Sequence, residues 1–178
     1  RVRGVGQVNL AVRAFDGDYL RERTDMPFLV RTDNRKCLRG GDFGVDDGDA
    51  VFYLWDSERD APVAAPGTGF AMPPPGQPNP DHPDSLDLGA FEPALEGAWT
   101  VETAHGPVEV TTVFELTKAH AAGYAPERAQ SVTGVHPDVV RTVARQFAAA
   151  KPAMIFSGYR VSKWLHGDLL QRSLMLLL

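Results

Sequence analysis

The residues best suited to chemistry lie in a glycine-led turn at positions 158–168, which reads GYRVSKWLHGD. Lys163 and Arg160 could pair with phosphate groups, because ammonium and guanidinium ions form charge-assisted hydrogen bonds with phosphate oxygens. Trp164 could stack on a purine, and His166 could donate a hydrogen bond to a phosphate or a carbonyl. Gly158 would let a ligand approach the backbone closely. These residue types indicate a site for a phosphate or a nucleotide.

The elements on either side of this turn would have to position it. Residues 151–156, KPAMIF, predict a short apolar strand, and residues 164–178 predict a helix. A strand, a glycine turn and a helix together present backbone N–H groups to a phosphate at the helix N-terminus. The same spacing is also typical of an ordinary strand–helix turn, with Trp164 in the core and both cations in solvent. A single glycine turn does not decide between the two interpretations.

Length and composition exclude several classes of function. The chain has 178 residues and a formal net charge of −5, which argues against a general affinity for nucleic acid or an anionic membrane. Cys37 is the only cysteine, so the chain cannot hold a disulfide framework or a four-cysteine metal site of its own. The sequence has no apolar run of 18 residues, so we expect no membrane insertion. It does not define a cellular location.

The hydrophobic pattern predicts an α/β fold. Residues 7–15 fit a strand and a helix equally well, whereas later segments are clearer. A helix followed by a strand and a second helix near the end favours at least one parallel strand. The predicted parts are a strand-containing segment over 1–56, a Pro/Gly-rich loop or insertion over 57–90, and a hairpin with an α/β segment over 91–178. The predicted elements are strands at 28–30 and 51–55, a hairpin of 99–102 with 108–110, a helix or a turn at 18–23, and helices at 112–122, 126–132 and 137–149.

Residues 130–147 also fit a helix-turn-helix, in which a short helix, a Thr-Gly-Val turn and a longer helix follow one another. The longer helix carries only Arg141 and Arg145 as cations, and the chain is acidic. A structural helix pair is therefore favoured over a DNA-binding one.

Several motifs, taken in order, resemble a known family. The motifs are RERTDMPFLVRTD at 21–33, VFYLWD at 51–56, TVFEL at 112–116, YAPER at 124–128, TGV at 133–135 and KPAMI at 151–155, with Gly158 after the last. This order is similar to that of the catalytic subunit of molybdopterin oxidoreductases, the dimethyl sulfoxide reductase family with bis(molybdopterin guanine dinucleotide) cofactors. The resemblance covers most of the chain.

The resemblance implies a fold, a reaction and a cofactor site. The chain would be an internal fragment of the dinucleotide-binding-like (αβα) domains, with a long irregular insertion, and its apolar end LMLLL without a cap agrees with this expectation. The intact enzyme would perform two-electron oxygen-atom transfer or hydroxylation at molybdenum. Its partners would be the remainder of the catalytic subunit and an iron–sulfur electron-transfer subunit. By matching position, the residues that contact one guanine dinucleotide would be Gly158, Ser162, Lys163, Trp164 and His166.

The chain also departs from the family pattern. Arg160 stands where a second small residue is common, and Ser162 stands where asparagine is common. Cys37 does not match the molybdenum ligand, so that ligand and the iron–sulfur cysteines would lie before Arg1. This chain would then hold part of a cofactor site but no catalytic residue and no metal ligand. The alternative from another class is a non-catalytic nucleotide-binding or interaction module.

Overall fold

The chain folds into two compact units. A computed structural model describes residues 2–45, 48–66, 92–175 and 177. The sheet unit comprises Asp16–Thr117, and the helical unit comprises Arg1–Phe15 with Lys118–Leu178.

The sheet unit contains two small antiparallel sheets. Its elements are helix α2 (Gly17–Arg23) and strands β1 (Leu29–Arg31), β2 (Tyr53–Asp56), β3 (Ala61–Ala64), β4 (Ala98–Thr103) and β5 (Gly106–Thr112). One sheet has the order β1-β5-β4, and the other pairs β2 with β3. Val30 lies opposite Thr111, and Val101 lies opposite Val108. The tight turn between β4 and β5 makes this pair a hairpin, as the sequence predicts.

Alternating strand residues build the core of the sheet unit. Because successive side chains of a strand point to opposite faces, one face of each strand can be apolar and buried. The buried cluster consists of Leu29, Leu38, Trp55, Val101 and Val110. The ring of Trp55 stacks on that of Trp99, with centroids 4.7 Å apart and planes 13° apart. This stack covers the cluster and adds to its apolar burial.

Two glycines allow the connection between β1 and β2 to fold tightly. It contains 3-10 helices over Gly40–Phe43 and Gly48–Ala50. A Cβ atom added at Gly48 would lie 2.6 Å from the carbonyl carbon of Gly40, and one added at Gly40 would lie 2.9 Å from Gly48 Cα. The two main chains therefore touch directly, which only glycine permits.

The helical unit contains only helices and loops in its described residues. They are α1 (Val2–Ala11), α4 (Pro126–Thr133), α5 (Pro137–Ala149), a 3-10 helix (Tyr159–Lys163) and α6 (Gly167–Met175). Helix α3 (Val113–Ala122) begins in the sheet unit and ends in the helical unit. Helix α5 packs against α1 and α4 and buries Val140 and Ala144. His136 caps α5, since its Nδ1 accepts a hydrogen bond from the amide of Asp138 at 3.3 Å.

The mixed α/β class, the hairpin and the helices predicted at 112–122, 126–132 and 137–149 are confirmed, but two other predictions are wrong. Residues 151–156 form no strand, because every strand in the described residues lies in the sheet unit and this extended segment has no ladder partner. The described strands are all antiparallel. Ala61–Ala64 forms a four-residue strand near the start of the Pro/Gly-rich segment 57–90. Residues 67–90 of that segment lie outside the described residues, so the division at 56 and 90 stays a prediction.

The last helix also begins later than predicted. Trp164 has an extended backbone with φ −87° and ψ 157°, and His166 has φ 60°. Neither conformation continues a right-handed helix, so α6 starts at Gly167.

Candidate functional site

The segment from Ala153 to His166 exposes an unusual number of apolar side chains. Residues 153–158 are extended, and the 3-10 helix Tyr159–Lys163 follows. Phe156 is 92% exposed, and Met154 and Leu165 are exposed to 82% and 88%. Scattered exposed apolar residues are normal on a protein surface, but a run of them in one segment marks a surface for binding.

Gly158 lies at the start of the 3-10 helix with open space around it. Its backbone is extended, with φ −79° and ψ 153°, so the glycine is not needed for a left-handed conformation. No heavy atom of the described residues lies within 4 Å of a Cβ atom placed there. Packing within the described part of the chain therefore does not require a glycine at this position, and the space that this part leaves beside the backbone is open to a ligand.

The two cations of the segment are exposed and carry no counter-ion. Neither Lys163 nor Arg160 forms an ion pair with any residue of the described ranges. Lys163 Nζ lies 4.8 Å from the centroid of the Tyr159 ring, which places the ammonium over the ring face. Both positive charges are thus available to an anion.

Trp164 and His166 lie on the surface between the two helices. Trp164 is 76% exposed, so the interpretation that places it in the core is wrong. His166 is exposed and adopts the left-handed backbone that non-glycine residues rarely use. Ser162 lies within the 3-10 helix. The five predicted contact residues therefore share one segment of the helical unit, just before the N-terminus of α6, where the Gly167 and Leu170 amides donate to the carbonyl oxygens of Trp164 and His166 at 2.8 and 3.1 Å.

Arg31 in the sheet unit, by contrast, is paired with carboxylates. The Arg31 guanidinium donates to Asp33 Oδ1 and Oδ2 at 3.1 and 2.7 Å and also to Asp42. Its hydrogen bond with Asp33 lowers the pKa of that carboxyl and raises the pKa of Arg31. These groups tie β1 to the Gly40–Phe43 helix. Burial raises the pKa of the Cys37 thiol, which disfavours a reactive thiolate.

Sequence reasoning missed Asp56, which has no exposed surface. Asp56 Oδ1 accepts a hydrogen bond from the Glu58 amide at 3.0 Å, and Arg59 Nε lies 3.5 Å from Oδ2. The carboxylate therefore holds the turn between β2 and β3. No sequence pattern signals that an aspartate at the end of a strand is buried. The described ranges contain no group of three or more His, Cys, Asp or Glu side chains that could hold a metal ion.

The helix pair α4 and α5 does not present a basic surface. The guanidinium of Arg141 donates to Asp138 at 3.1 Å and to Glu127. Its positive charge is neutralised by two carboxylates, which leaves Arg145 as the remaining arginine of α5. The DNA-binding interpretation therefore finds no support in the charges of this pair.

Comparisons with known proteins identify the family. The chain is 44% identical over 160 residues to the chlorate reductase subunit alpha of Ideonella dechloratans, a match that covers 90% of this chain and 16% of that relative. It is 36% identical over 176 residues to the dimethylsulfide dehydrogenase subunit alpha of Rhodovulum sulfidophilum, covering 98% of this chain and 18% of the relative. The chain belongs to the dimethyl sulfoxide reductase family. The family predicted from the sequence motifs is confirmed.

A third member of the dimethyl sulfoxide reductase family is also similar to this chain over most of the chain's length. The perchlorate reductase subunit alpha of Dechloromonas aromatica is 34% identical over 184 residues, covering 97% of this chain and 20% of the relative. The chain thus spans a fifth or less of the length of these relatives. No family model matches the chain. None of the helices in the described ranges has the length and apolar character needed to cross a membrane.

Proposed function

We propose that this chain is part of the catalytic subunit of a molybdenum-dependent oxidoreductase and that residues 158–166 contact a molybdopterin guanine dinucleotide. The family membership supports an oxidoreductase that uses a molybdopterin cofactor. The observation that carries the assignment of the site is the open backbone at Gly158 beside unpaired cations and an exposed tryptophan.

The residue types in the segment fit this cofactor. A pyrophosphate is stabilised by cations, which Lys163 and Arg160 supply, and by the positive end of a helix dipole, which the N-terminus of α6 supplies. A guanine or pterin ring requires a flat apolar surface, which Trp164 supplies. Gly158 leaves room for the group to approach the main chain. The chemical character of the segment therefore matches an anionic, aromatic ligand.

The role of this chain would be binding and orientation. When bound, the molybdenum cofactor would supply two-electron oxygen-atom transfer or hydroxylation in the intact enzyme. Lys163 would hold the phosphate charge, and Trp164 would cover one face of the guanine and exclude water from it. His166 would donate a hydrogen bond to a phosphate or carbonyl. None of these residues would be catalytic.

The partners follow from the same proposal. The exposed side chains of Met154 and Phe156 would be covered by the remainder of the catalytic subunit, because contiguous apolar surface of this kind is costly in water. An iron–sulfur subunit would exchange electrons with the intact enzyme, and its clusters would lie outside this chain. A non-catalytic nucleotide-binding or interaction module is the second candidate, since the same exposed surface would also serve a binding protein.

The test uses the full-length catalytic subunit. Lys163→Ala and His166→Ala are compared with Arg145→Ala, which removes an exposed cation from α5 far along the chain from the segment. Losing a charged hydrogen bond costs about 1.5–3 kcal/mol, so cofactor release after dilution should accelerate roughly tenfold or more for Lys163→Ala. Cofactor content per folded subunit should fall in both segment variants and stay unchanged in Arg145→Ala. Wild-type content and release in both segment variants would rule out the proposed site.

A further inference from the structure

Lys163 is held by an aromatic ring and not by a carboxylate. Its Nζ lies 4.8 Å from the centroid of the Tyr159 ring, and Tyr159 itself is 80% exposed. Arg39 is held in a similar way over the Phe52 ring, 4.5 Å from its centroid, whereas two other arginines pair with carboxylates. Arg31 pairs with Asp33 and Asp42, and Arg141 pairs with Glu127 and Asp138. A carboxylate cancels the positive charge, whereas a ring face attracts an ammonium without supplying a negative charge.

The contact does not follow from helical periodicity alone. Tyr159 and Lys163 are four residues apart in a 3-10 helix, in which side chains three residues apart are aligned. The lysine ammonium nevertheless lies over the ring, and no acidic group of the described ranges is paired with it.

We propose that Tyr159 is a positioning residue that holds the Lys163 ammonium ready for the phosphate of a guanine nucleotide. This inference rests on the proposed function. A free lysine loses rotamer entropy when it is immobilised, and a contact that restricts it beforehand reduces this loss on binding. The ammonium has three N–H donors, and a ring face occupies only one side of it. The remaining donors stay directed away from the ring, where an anion can accept them.

The experiment measures binding of GDP to the cofactor-free, full-length catalytic subunit by calorimetry. Tyr159→Leu removes the ring face and keeps apolar bulk, while Tyr159→Phe and Tyr159→Trp keep an aromatic face. Exposed cation–π contacts contribute about 0.5–1 kcal/mol, so Tyr159→Leu should weaken GDP binding roughly twofold to fivefold. Tyr159→Phe should bind like the wild type, and Tyr159→Trp should bind at least as tightly. In a Lys163→Ala background, Tyr159→Leu should have no further effect.

The double-mutant design separates the possible outcomes. If Lys163→Ala weakens GDP binding but Tyr159→Leu does not, or if their effects simply add, Tyr159 does not act through Lys163 and the inference is wrong. If Tyr159→Phe weakens binding as much as Tyr159→Leu, the hydroxyl group matters rather than the ring, and the inference is again wrong. If Lys163→Ala leaves GDP binding unchanged, the proposed function of the segment fails first. The melting temperature of each variant should match the wild type, because Tyr159 is largely exposed.

Discussion

Trp55 in the sheet unit and Trp164 in the helical unit are the same residue type in opposite surroundings. Trp55 is 7% exposed and stacks on Trp99, whereas Trp164 is 76% exposed. Phe156 and Tyr159 of the helical unit are exposed to a similar degree as Trp164. The two tryptophan rings of the sheet unit thus pack at its core, whereas the aromatic rings just named in the helical unit are exposed to solvent. Exposed aromatic side chains do not stabilise the fold of the helical unit, and their contact with water is unfavourable. We therefore expect a ligand or a partner surface to cover them.

The largest expected difference concerns stability. Trp55→Ala should lower the free energy of unfolding by about 3–5 kcal/mol, because it removes a buried ring and leaves a cavity. Trp164→Ala should change it by less than about 0.5 kcal/mol, as is usual for an exposed position. Urea unfolding followed by circular dichroism measures both. An equal loss of stability in the two variants would show that Trp164 is part of a core.

A smaller difference in stability is expected between alanine substitutions at Gly97 and at Gly158. A Cβ atom at Gly97 would lie 2.4 Å from the Trp99 ring, and the backbone there has φ 141°. Gly97→Ala should therefore destabilise the sheet unit by about 1–3 kcal/mol through strain. Gly158→Ala meets no atom within 4 Å and should leave stability unchanged, although it should weaken GDP binding. Thermal denaturation and GDP calorimetry on the same samples distinguish these effects. A destabilised Gly158→Ala variant would contradict the open site.

The smallest expected effect is a pH-dependent change in melting temperature, and it should be similar in the two units. The hydrogen bond from Arg31 lowers the pKa of Asp33, and the backbone amide of Glu127, followed by Arg141, lowers the pKa of Glu127. A carboxyl with a lowered folded pKa adds stability above its unfolded pKa of about 4, and this stability is lost as the pH falls through the lower folded value. Asp33→Asn and Glu127→Gln should therefore lower the melting temperature slightly near neutral pH and not at all in strong acid. Melting curves from about pH 7 to about pH 2 test this, and a constant difference at every pH would exclude the charge effect.

Sequence reasoning found those elements whose signals are local. The β4–β5 hairpin is marked by Gly106 between two β-branched runs, and α5 by Pro137 and regularly spaced apolar residues. Thr112 caps α3, since its Oγ1 accepts a hydrogen bond from the Glu115 amide at 3.1 Å. These features depend only on residues a few positions apart.

The predictions that failed depend on distant residues. An apolar run such as 151–156 has the composition of a strand, but a strand requires a neighbouring strand, and the helical unit has none in the part of the chain that is described. The alternative interpretation that placed Trp164 in a core failed for a related reason, because composition does not tell whether another element covers a side chain. The cofactor contacts came from the family resemblance, and they stay a prediction. The cation–π contact of Lys163 was not foreseen, since four-residue spacing in a 3-10 helix does not predict it.

The contact between Gly40 and Gly48 has a consequence for how this chain can evolve. Each glycine excludes a side chain on the other, since an added Cβ atom would overlap main-chain atoms at 2.6–2.9 Å. A clash between two side chains can be relieved by shrinking the opposite residue, but here both residues already have the smallest side chain. No second substitution at the partner position can compensate for the first. We therefore expect both positions to remain glycine. Substitutions in this loop should be tolerated only at neighbouring positions.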